Sequence, residues 1–390
     1  MFGRGLGQFA LIWWLTSTTS SATVLAVASI MTTVPGALLN PIAGAMVDRW
    51  DRKKLMIFNY ALSALSTAGI VFLYAGDMVL LWHIYALMFI RAVGRILDNA
   101  VMLASTTLMV PEEHYSRING FNRSIQGISS IVTPPLGALL LGMLSMQTIL
   151  AIDVMLSLLA ITPFLIFRIP QPVRVESLVT ADQPSFFDDL REGLHLVSGW
   201  PGMLMIMLVF GLVHLVFTPS MSLLPILVTG HFNGSAIELA WLQSAMGVGG
   251  VTGGIILGVW GGFKKHIKTS MGSLALLGVS VAMIGIAPAN AIIIAIVGMF
   301  SVGFMVAMVV AARRSIIQKA VDPALQGRVH TLIASGWAMM DPIGLAIAGP
   351  SSEILGVRSL YLICAIVMIT LGVGAFFVPS IMNVENSARD

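Results

Sequence analysis

The sequence predicts an all-α polytopic membrane protein in which twelve transmembrane helices form two similar six-helix bundles. Of the 390 residues, 57% are hydrophobic and 10% are charged, whereas a soluble domain is about a quarter charged. Twelve spans of about 20 apolar residues would occupy about 240 positions and leave about 150 for loops. This composition excludes a cytosolic enzyme.

Long apolar runs that end at Gly, Pro or charged residues mark the spans. They cover residues 1–17, 21–46, 54–75, 79–103, 124–144, 147–167, 203–228, 237–263, 269–287, 289–312, 329–350 and 357–379. Span 1 would be only about 25 Å long against a hydrocarbon core of about 30 Å, and Arg4 shortens its apolar part. We expect either a chain that begins part-way into a truncated first helix, or a cleaved signal peptide that ends near Ala22.

The basic residues are sorted between the two membrane sides. The loops after the even-numbered spans and the C-terminal tail hold 17 of the 21 Lys and Arg residues, while the opposite loops hold only Arg358. By the positive-inside rule both termini are cytoplasmic. The net charge of +3 therefore reports topology, and no nucleic-acid partner is expected.

An internal repeat predicts the domain boundaries. Gly36, Asn40, Gly44 and Asp48 recur every fourth residue on span 2, and a second stripe recurs in the same way 214 positions later on span 8, at Gly250, Gly254, Gly258 and Gly262. Both stripes predict close helix packing, and the repeat predicts two related bundles. The expected domains are residues 1–168, a cytoplasmic linker at 169–201 with an amphipathic helix, a second bundle at 202–380 and a tail at 381–390.

The loop after span 2 carries the most specific motif of the chain. It contains Gly44, Asp48, Arg49, Arg52 and Lys53. Asp48 lies at the negative end of its own helix, a placement that is unfavourable by some tenths of a kcal/mol and so indicates a partner elsewhere. The alternative is a plain basic anchor at the lipid headgroups.

This loop resembles the signature Gly-x3-Asp-Arg-x2-Arg-Lys of the major facilitator superfamily. Within it the chain is most similar to the macrolide-efflux branch of drug:proton antiporters, and it is also similar to enterobactin exporters. The resemblance is carried by residues 8–15, 47–54, 110–113 and 151–153 and covers essentially the whole chain. It implies that Asp48 and Arg49 form a cytoplasmic gate with helix 11, and it implies a bacterial cytoplasmic membrane.

Two further motifs of the resembled family are matched in part. Arg91 and Gly94 fit its Arg-x2-Gly motif on helix 4, which the resemblance associates with proton coupling. Pro134 and Gly137 fit the antiporter motif Gly-Pro-x2-Gly on helix 5, but Thr133 stands in place of its first Gly. This departure weakens the antiport assignment.

Charged residues inside predicted spans are functional candidates because each costs about 2.5 to 3.5 kcal/mol to insert. Arg91, Arg95 and Asp98 share one face of span 4. Helical rise places Arg91 and Asp341 at the same depth, about 18 Å. One interpretation is structural bridging, with Arg95 on Asp98 and Arg91 on a carboxylate or on carbonyls. The other is that a carboxylate among these residues binds and releases a proton as the halves rock.

Two other polar residues and several aromatic residues are weighed in the same way. Asp153 is interpreted as structural, and His214 as a hydrogen-bonding partner. Bulky side chains on spans 1, 4, 7 and 10 are candidates for a substrate cavity, since those helices line the centre of the resembled fold; the alternative is that each faces lipid or a neighbouring helix. The cavity candidates are Trp13, Trp14, Phe89, Phe210 and Phe300.

The predicted function is secondary export by alternating access, in which proton entry drives a small lipophilic compound such as a macrolide outward. Export of an anionic siderophore or a lipid is favoured instead if Arg91 and Arg95 face the cavity unpaired. A membrane-embedded enzyme or a receptor is a remote alternative, since the chain has no P-loop and no His-Glu-x2-His or Gly-x-Ser-x-Gly motif. Besides cargo, protons and the bilayer, we expect a monomer without cofactor or metal; Cys364 is the single cysteine.

Overall fold

The computed structural model describes residues 2–167, 200–321 and 326–385, and the regular secondary structure of these ranges is entirely helical. Within them, the description leaves out the side chains at positions 41, 42, 44, 45, 48, 49, 103, 107, 112, 116, 327, 328, 330 and 331. The predicted linker helix lies outside the described residues, so the division of the chain at residues 169–201 stays a prediction.

Twelve helices of 14 residues or more, labelled α1 to α12, make up most of the described chain. They are α1 (Phe2–Thr19), α2 (Ala22–Arg49), α3 (Arg52–Ala75), α4 (Leu81–Met109), α5 (Tyr115–Met143), α6 (Met146–Leu159), α7 (Pro201–Ser222), α8 (Ala236–Trp260), α9 (His266–Ile286), α10 (Ile292–Ala320), α11 (Gln326–Leu355) and α12 (Val357–Gly374). Short helices Thr162–Ile166, Leu224–Gly230 and Pro379–Met382 follow α6, α7 and α12. We call the end at which the even-numbered helices α2 to α10 finish the basic end, after its loops.

Ten of the helical segments are long and apolar enough to cross a membrane, which confirms the predicted class of polytopic all-α membrane protein. The other two long helices, α1 and α4, carry Arg4 and the trio Arg91, Arg95 and Asp98. The chief difference from the predicted boundaries is that α5 begins nine residues early, at Tyr115. Its polar first turns are helical although they are too polar to count as part of an apolar run.

Polar side chains at the helix starts explain where several helices begin. Ser21 and Asp51 accept hydrogen bonds from the backbone N–H groups of Val24 and Lys54, at 3.3 and 2.9 Å. These bonds satisfy N–H groups that have no partner within the helix. The acidic Asp51 at the start of α3 also offsets the unfavourable position of the basic cluster that follows it.

Two helix pairs provide most of the contact between the two halves of the chain. At the end opposite the basic end, a buried cluster with Leu25 on α2 and Leu345 on α11 closes the molecule. Beside it Glu353 accepts hydrogen bonds from the Ser21 hydroxyl at 2.7 Å and the Thr23 N–H at 3.1 Å. The second pair is α5 with α8, where the Ser244 hydroxyl donates to a carbonyl of α5 at 2.8 Å.

The predicted glycine stripe on α8 packs only in part: a Cβ atom at Gly250 would lie 3.8 Å from the Gly303 carbonyl oxygen of α10, but the middle two glycines have no neighbour within 4 Å. Gly254 and Gly258 face open space, and on α2 the nearest atom to Gly36 belongs to its own helix. The close approach is made by Gly249 of α8, where a Cβ atom would overlap a backbone carbonyl of α10, and by Gly303 of α10, where it would overlap one of α8. A four-residue period identifies a row of small residues but not the neighbour that the row faces.

Candidate transport site

Two adjoining cavities lie inside the bundle. The first, which we call the N-half cavity, has a volume of about 800 Å³ and is bounded by α1, α3, α4 and the segment after α6. The second, the central cavity, has a volume of about 520 Å³ and lies between α1 and α5 on one side and α7, α8 and α10 on the other. Gly5, Gln8 and Gln126 line both cavities, so we treat the two as one site.

The central cavity has a neutral, mixed lining. Its described wall contains three amides, several hydroxyls and a set of thioether and apolar side chains, and no charged side chain. These residues include Gln8, Gln126, Gln243, Ser129, Thr133, Phe9, Ile12, Met221, Met246 and Met299. Flexible thioethers adapt to irregular shapes, and a few polar groups fix orientation. The lining suits a lipophilic molecule that also carries hydrogen-bonding groups.

The N-half cavity has a charged wall built around Asp98. Arg4 forms an ion pair with Asp98 and lies 4.4 Å from the centre of the Tyr60 ring. The Asn59 amide donates to Asp98 at 2.5 Å and to the Gly94 carbonyl at 2.9 Å. Gly94 is required there, because a Cβ atom would overlap the Asn59 side chain. About 16% of the Asp98 side chain remains exposed, and it forms part of the lining of this cavity.

Arg91 and Asp153 form a second ion pair, deeper in the bundle. Arg91 Nη1 donates to Asp153 Oδ2 at 2.8 Å, and Arg91 Nη2 donates to the Arg4 carbonyl at 2.8 Å. The two side chains are only 4% and 1% exposed. A Cβ atom at Gly7 of α1 would lie 2.9 Å from both charged groups. The pair therefore ties α4 to α6 beneath a glycine of α1, which agrees with the structural interpretation of Asp153.

Arg95 differs from the other cationic side chains of this wall. It lies on the same helix face as Arg91, but its side chain is exposed and lines the N-half cavity. No ion-pair or hydrogen-bond partner of Arg95 occurs among the described side chains. The predicted pairing of Arg95 with Asp98 is therefore wrong, because Arg4 of α1 occupies that carboxylate.

Asp341 belongs to a separate polar cluster between α7 and α11. Its Oδ1 atom lies 3.0 Å from His214 Nδ1 and accepts a hydrogen bond from the Thr218 hydroxyl at 2.6 Å. Arg91 and Asp341 were predicted to lie at the same depth, but they do not contact each other: Arg91 bonds to Asp153 and Asp341 lies against His214. The His214 ring lies parallel to that of Trp337, with centroids 5.9 Å apart, and the Arg313 guanidinium lies 3.9 Å from the same indole.

The aromatic candidates do not line either cavity. Phe210 is 1% exposed and packs edge-on against Trp337, while Trp14 packs against Tyr74 at 5.5 Å. Trp13 is half-buried beside the core of the C-terminal half, and Phe89 and Phe300 are exposed outside the two cavities. Sequence reasoning missed Gln8, Gln126 and Gln243. The available signal was an amide within an otherwise apolar span.

The helix-5 and loop motifs have mixed outcomes. Pro134 and Thr133 line the central cavity, while Gly137 lies against Phe9 of α1. Arg52 is buried and donates to the Ala104 carbonyl at 2.8 Å. Lys53 donates to the carbonyls of Leu165 and Phe167 at 3.3 and 3.5 Å. The side chains at Gly44, Asp48 and Arg49 lie outside the description, so the gate stays a prediction.

A bundle of membrane-length helices around polar-lined cavities at the contact of two halves is the architecture of an integral membrane transporter. A sequence-family model described as Major Facilitator Superfamily matches residues 1–345. The chain belongs to the Major Facilitator Superfamily, a family of transporters, which sets aside the enzyme alternative.

Several curated proteins are similar to the chain. Macrolide efflux protein A of Streptococcus pyogenes is 31% identical over 94% of this chain and 90% of its own length, and its namesake from Enterococcus faecalis is 32% identical over 83% and 99%. Multidrug efflux pump Tap of Mycolicibacterium fortuitum is 25% identical over 99% and 95%. These relatives confirm the predicted resemblance and indicate a multi-pass bacterial membrane protein.

Solved structures share the fold at low identity. The nucleoside transporter NupG superposes with a TM-score of 0.65 at 13% identity, covering 96% of this chain and 98% of its own. A bacterial homologue of the iron transporter ferroportin gives 0.68 at 15%, covering 95% and 97%. At these identities the likeness concerns the fold alone.

Proposed function

We propose that the chain is a proton-coupled exporter of small lipophilic compounds, macrolides among them, that works by alternating access. The observation that carries the proposal is the pair of adjoining cavities: a neutral, methionine- and amide-lined space for cargo next to a wall that holds the partly exposed carboxylate of Asp98. The names of the relatives, which are efflux proteins for macrolides or several drugs, support the direction and the cargo.

Two observations support alternating access. The α2–α11 contact closes the end of the molecule opposite the basic end, and the N-half cavity extends toward the basic end. The lining of the N-half cavity reaches Met109 and Phe167, near the basic end of the bundle. We place the basic end and both termini in the cytoplasm, from the distribution of Lys and Arg. A single chain encloses the whole site, so a monomer suffices. Asp48 and Arg49 then gate the cytoplasmic side.

We assign proton coupling to Asp98, where a proton and the guanidinium of Arg4 compete for the same carboxylate. The carboxylate is held by Arg4 and Asn59 when it is charged. Protonation removes the attraction to Arg4, which frees α1 to move relative to α4, and α1 contributes Gln8 and Phe9 to the cargo cavity. One proton moved through 100 mV supplies about 2.3 kcal/mol, which sustains about a fiftyfold cargo gradient.

The substitution Asp98→Asn tests this assignment, because asparagine is of similar size but does not titrate. In inverted vesicles with a labelled macrolide in the outer solution and an imposed pH gradient that is acidic inside, we expect the native chain to accumulate the macrolide, by about tenfold per pH unit for one proton. We expect D98N to lose most of this accumulation. The matched control is Asp77→Asn, which removes an exposed carboxylate in the loop between α3 and α4. Undiminished dependence on the pH gradient in D98N would reject the coupling role of Asp98.

A second candidate function, export of an anionic amphipathic molecule, is favoured by one observation. Arg95 is exposed in the N-half cavity without a partner among the described side chains. Arg4, Arg91 and Arg95 face two carboxylates, so the described charges of this wall sum to +1. A carboxylate or phosphate on the cargo would pair with Arg95 in a favourable, partly desolvated contact.

Competition between a neutral and an anionic lipophilic dye distinguishes the two candidates. If the cargo is anionic, Arg95→Gln should raise the half-saturating concentration of the anionic dye about tenfold, which corresponds to about 1.4 kcal/mol, and leave that of the neutral dye unchanged. Arg117→Gln is the control, since it removes the same charge from an exposed position near the basic end. Equal effects of R95Q on both dyes would count against an anionic cargo.

A further inference from the structure

The polar cluster between α7 and α11 is separate from the described cavities, and neither of those cavities includes His214 or Asp341 in its lining. Counting the helical rise from the starts of α7 and α11 places the two residues about 20 Å and 22 Å from the basic end. Both therefore lie near the middle of the bilayer, where ionisable residues are rare and mark ion pathways or proton relays.

The geometry of the pair leaves one nitrogen of His214 available. Asp341 Oδ1 lies 3.0 Å from His214 Nδ1, which fits a neutral imidazole that carries its hydrogen on Nδ1 and donates it to the carboxylate. Nε2 is then an acceptor, and it has no hydrogen-bond partner among the described residues. The side chains of His214 and Asp341 are 32% and 18% exposed, so neither is sealed inside the protein.

We propose that His214 and Asp341 form a proton-binding site in the C-terminal half, distinct from Asp98, in which an incoming proton adds to His214 Nε2. Water supplies the proton, no covalent bond other than N–H forms, and the product is an imidazolium–carboxylate pair. The inference deepens the proposed function and rests on it, because proton binding in this half matters for transport only if export is proton-coupled.

The surroundings of the site connect it to the packing of α7 on α11. Thr218, the second partner of Asp341, precedes Pro219 within α7, and Asp341 itself precedes Pro342 within α11. Because Pro219 has no N–H group, it leaves the carbonyl of Leu215 without its usual helical donor. That carbonyl oxygen lies so close to Gly344 of α11 that a Cβ atom there would overlap it. The proton site is therefore next to two interrupted helix backbones in close contact.

The other titratable and charged groups around the site are few. On α11 the described ones are Asp341 and Glu353, and on α12 they are Arg358, Tyr361 and Cys364. Of the described groups on these and the other helices packed against α7, only Asp341 contacts His214. The guanidinium of Arg313 on α10 contacts the Trp337 ring, which lies against the His214 ring. The positive charge of Arg313 disfavours a second positive charge on His214. Asp341 is the anion that balances this repulsion.

Trp337 provides a reporter, because a protonated imidazole stacked against an indole quenches its fluorescence. We expect the emission of the purified chain in lipid nanodiscs to fall on acidification, with a part of the change that is absent in Trp337→Phe. The Trp337-dependent part should disappear in His214→Gln. In Asp341→Asn its amplitude should also fall, since His214 loses the carboxylate that lies 3.0 Å from its Nδ1 atom.

His231→Gln is the matched control, because His231 follows the helix after α7 and its Nε2 atom lies 2.9 Å from the Ala287 carbonyl oxygen. This variant should keep the full Trp337-dependent change, and so should D98N. A Trp337-dependent change that persists in H214Q, or one that is undiminished in D341N, would overturn the inference. The fluorescence measurement needs no cargo, so it tests proton binding at His214 independently of transport. Absence of gradient-driven export in the native chain would reject the proposed function but would not change the fluorescence result.

Discussion

Replacing Asp153 with alanine is expected to prevent most of the chain from folding, although the residue itself lines neither cavity. The change leaves the guanidinium of Arg91, 4% exposed, without its counter-ion. Removing one partner of a buried ion pair costs about 3 to 5 kcal/mol, which is a large part of the stability of a typical domain. In fluorescence-detected size exclusion we expect the D153A variant to lose its monodisperse peak.

The double variant Arg91→Met with Asp153→Leu separates a lost charge balance from lost packing. A well-packed apolar pair often replaces a buried ion pair at little or no cost, so this variant should retain more folded protein than D153A. Asp77→Asn is the control for removal of an exposed carboxylate and should behave like the native chain, since asparagine tolerates the φ of 52° at this position. Native thermal stability in D153A, or a double variant less stable than D153A, would show that the pair does not hold α4 to α6.

Gly303→Val is also expected to be strongly destabilising, because it inserts a side chain where two helix backbones touch. A Cβ atom at Gly303 would overlap the Met246 carbonyl oxygen. The obstacle is backbone, so it cannot move aside like the end of a side chain. Overpacking of a well-packed core costs about 1 to 3 kcal/mol and occasionally more, and we expect a strong loss of folded protein at growth temperature. Gly249→Ala should act in the same direction with a smaller effect.

The same helix offers matched controls for the glycine prediction. Gly254 and Gly258 of α8 face open space, so Gly254→Ala and Gly258→Ala should leave thermal stability unchanged or raise it, since alanine favours a helix by about 1 kcal/mol over glycine. If G254A were as disruptive as G249A, the row of glycines that the sequence suggests, and not the row one residue earlier, would be the packing face.

The architecture could be predicted from the sequence because length and hydropathy act over whole helices. The loops that carry Lys53 and Lys264 separate long apolar runs, and a run of that length in a bilayer has to be helical. Errors were confined to features such as the start of α5, where polar residues continue a helix beyond its apolar part. The classification in a transporter family followed from the motif around Asp48, although the contacts of that side chain are still a prediction.

The pairing of charges could not be predicted from helical rise. Counting along separate predicted spans placed Arg91 at the depth of Asp341, yet Arg91 bonds to Asp153 at 2.8 Å. From the observed helix starts the two lie about 15 Å and 10.5 Å deep, a difference that a long arginine side chain spans. Depth also says nothing about which helices are neighbours. Arg4 was singled out only as a charge in a short helix, and its contact with Asp98 depends on how α1 packs.

Gly7, which lies above the Arg91–Asp153 pair, limits how these three positions can change during evolution. Position 7 on one helix must stay without a side chain only as long as the two charges on two other helices stay in place, because an alanine there would lie 2.9 Å from both charged groups. A lineage that loses one of the three gains nothing by retaining the remaining two. Distant descendants of this gene should therefore inherit the three positions together or have exchanged all of them.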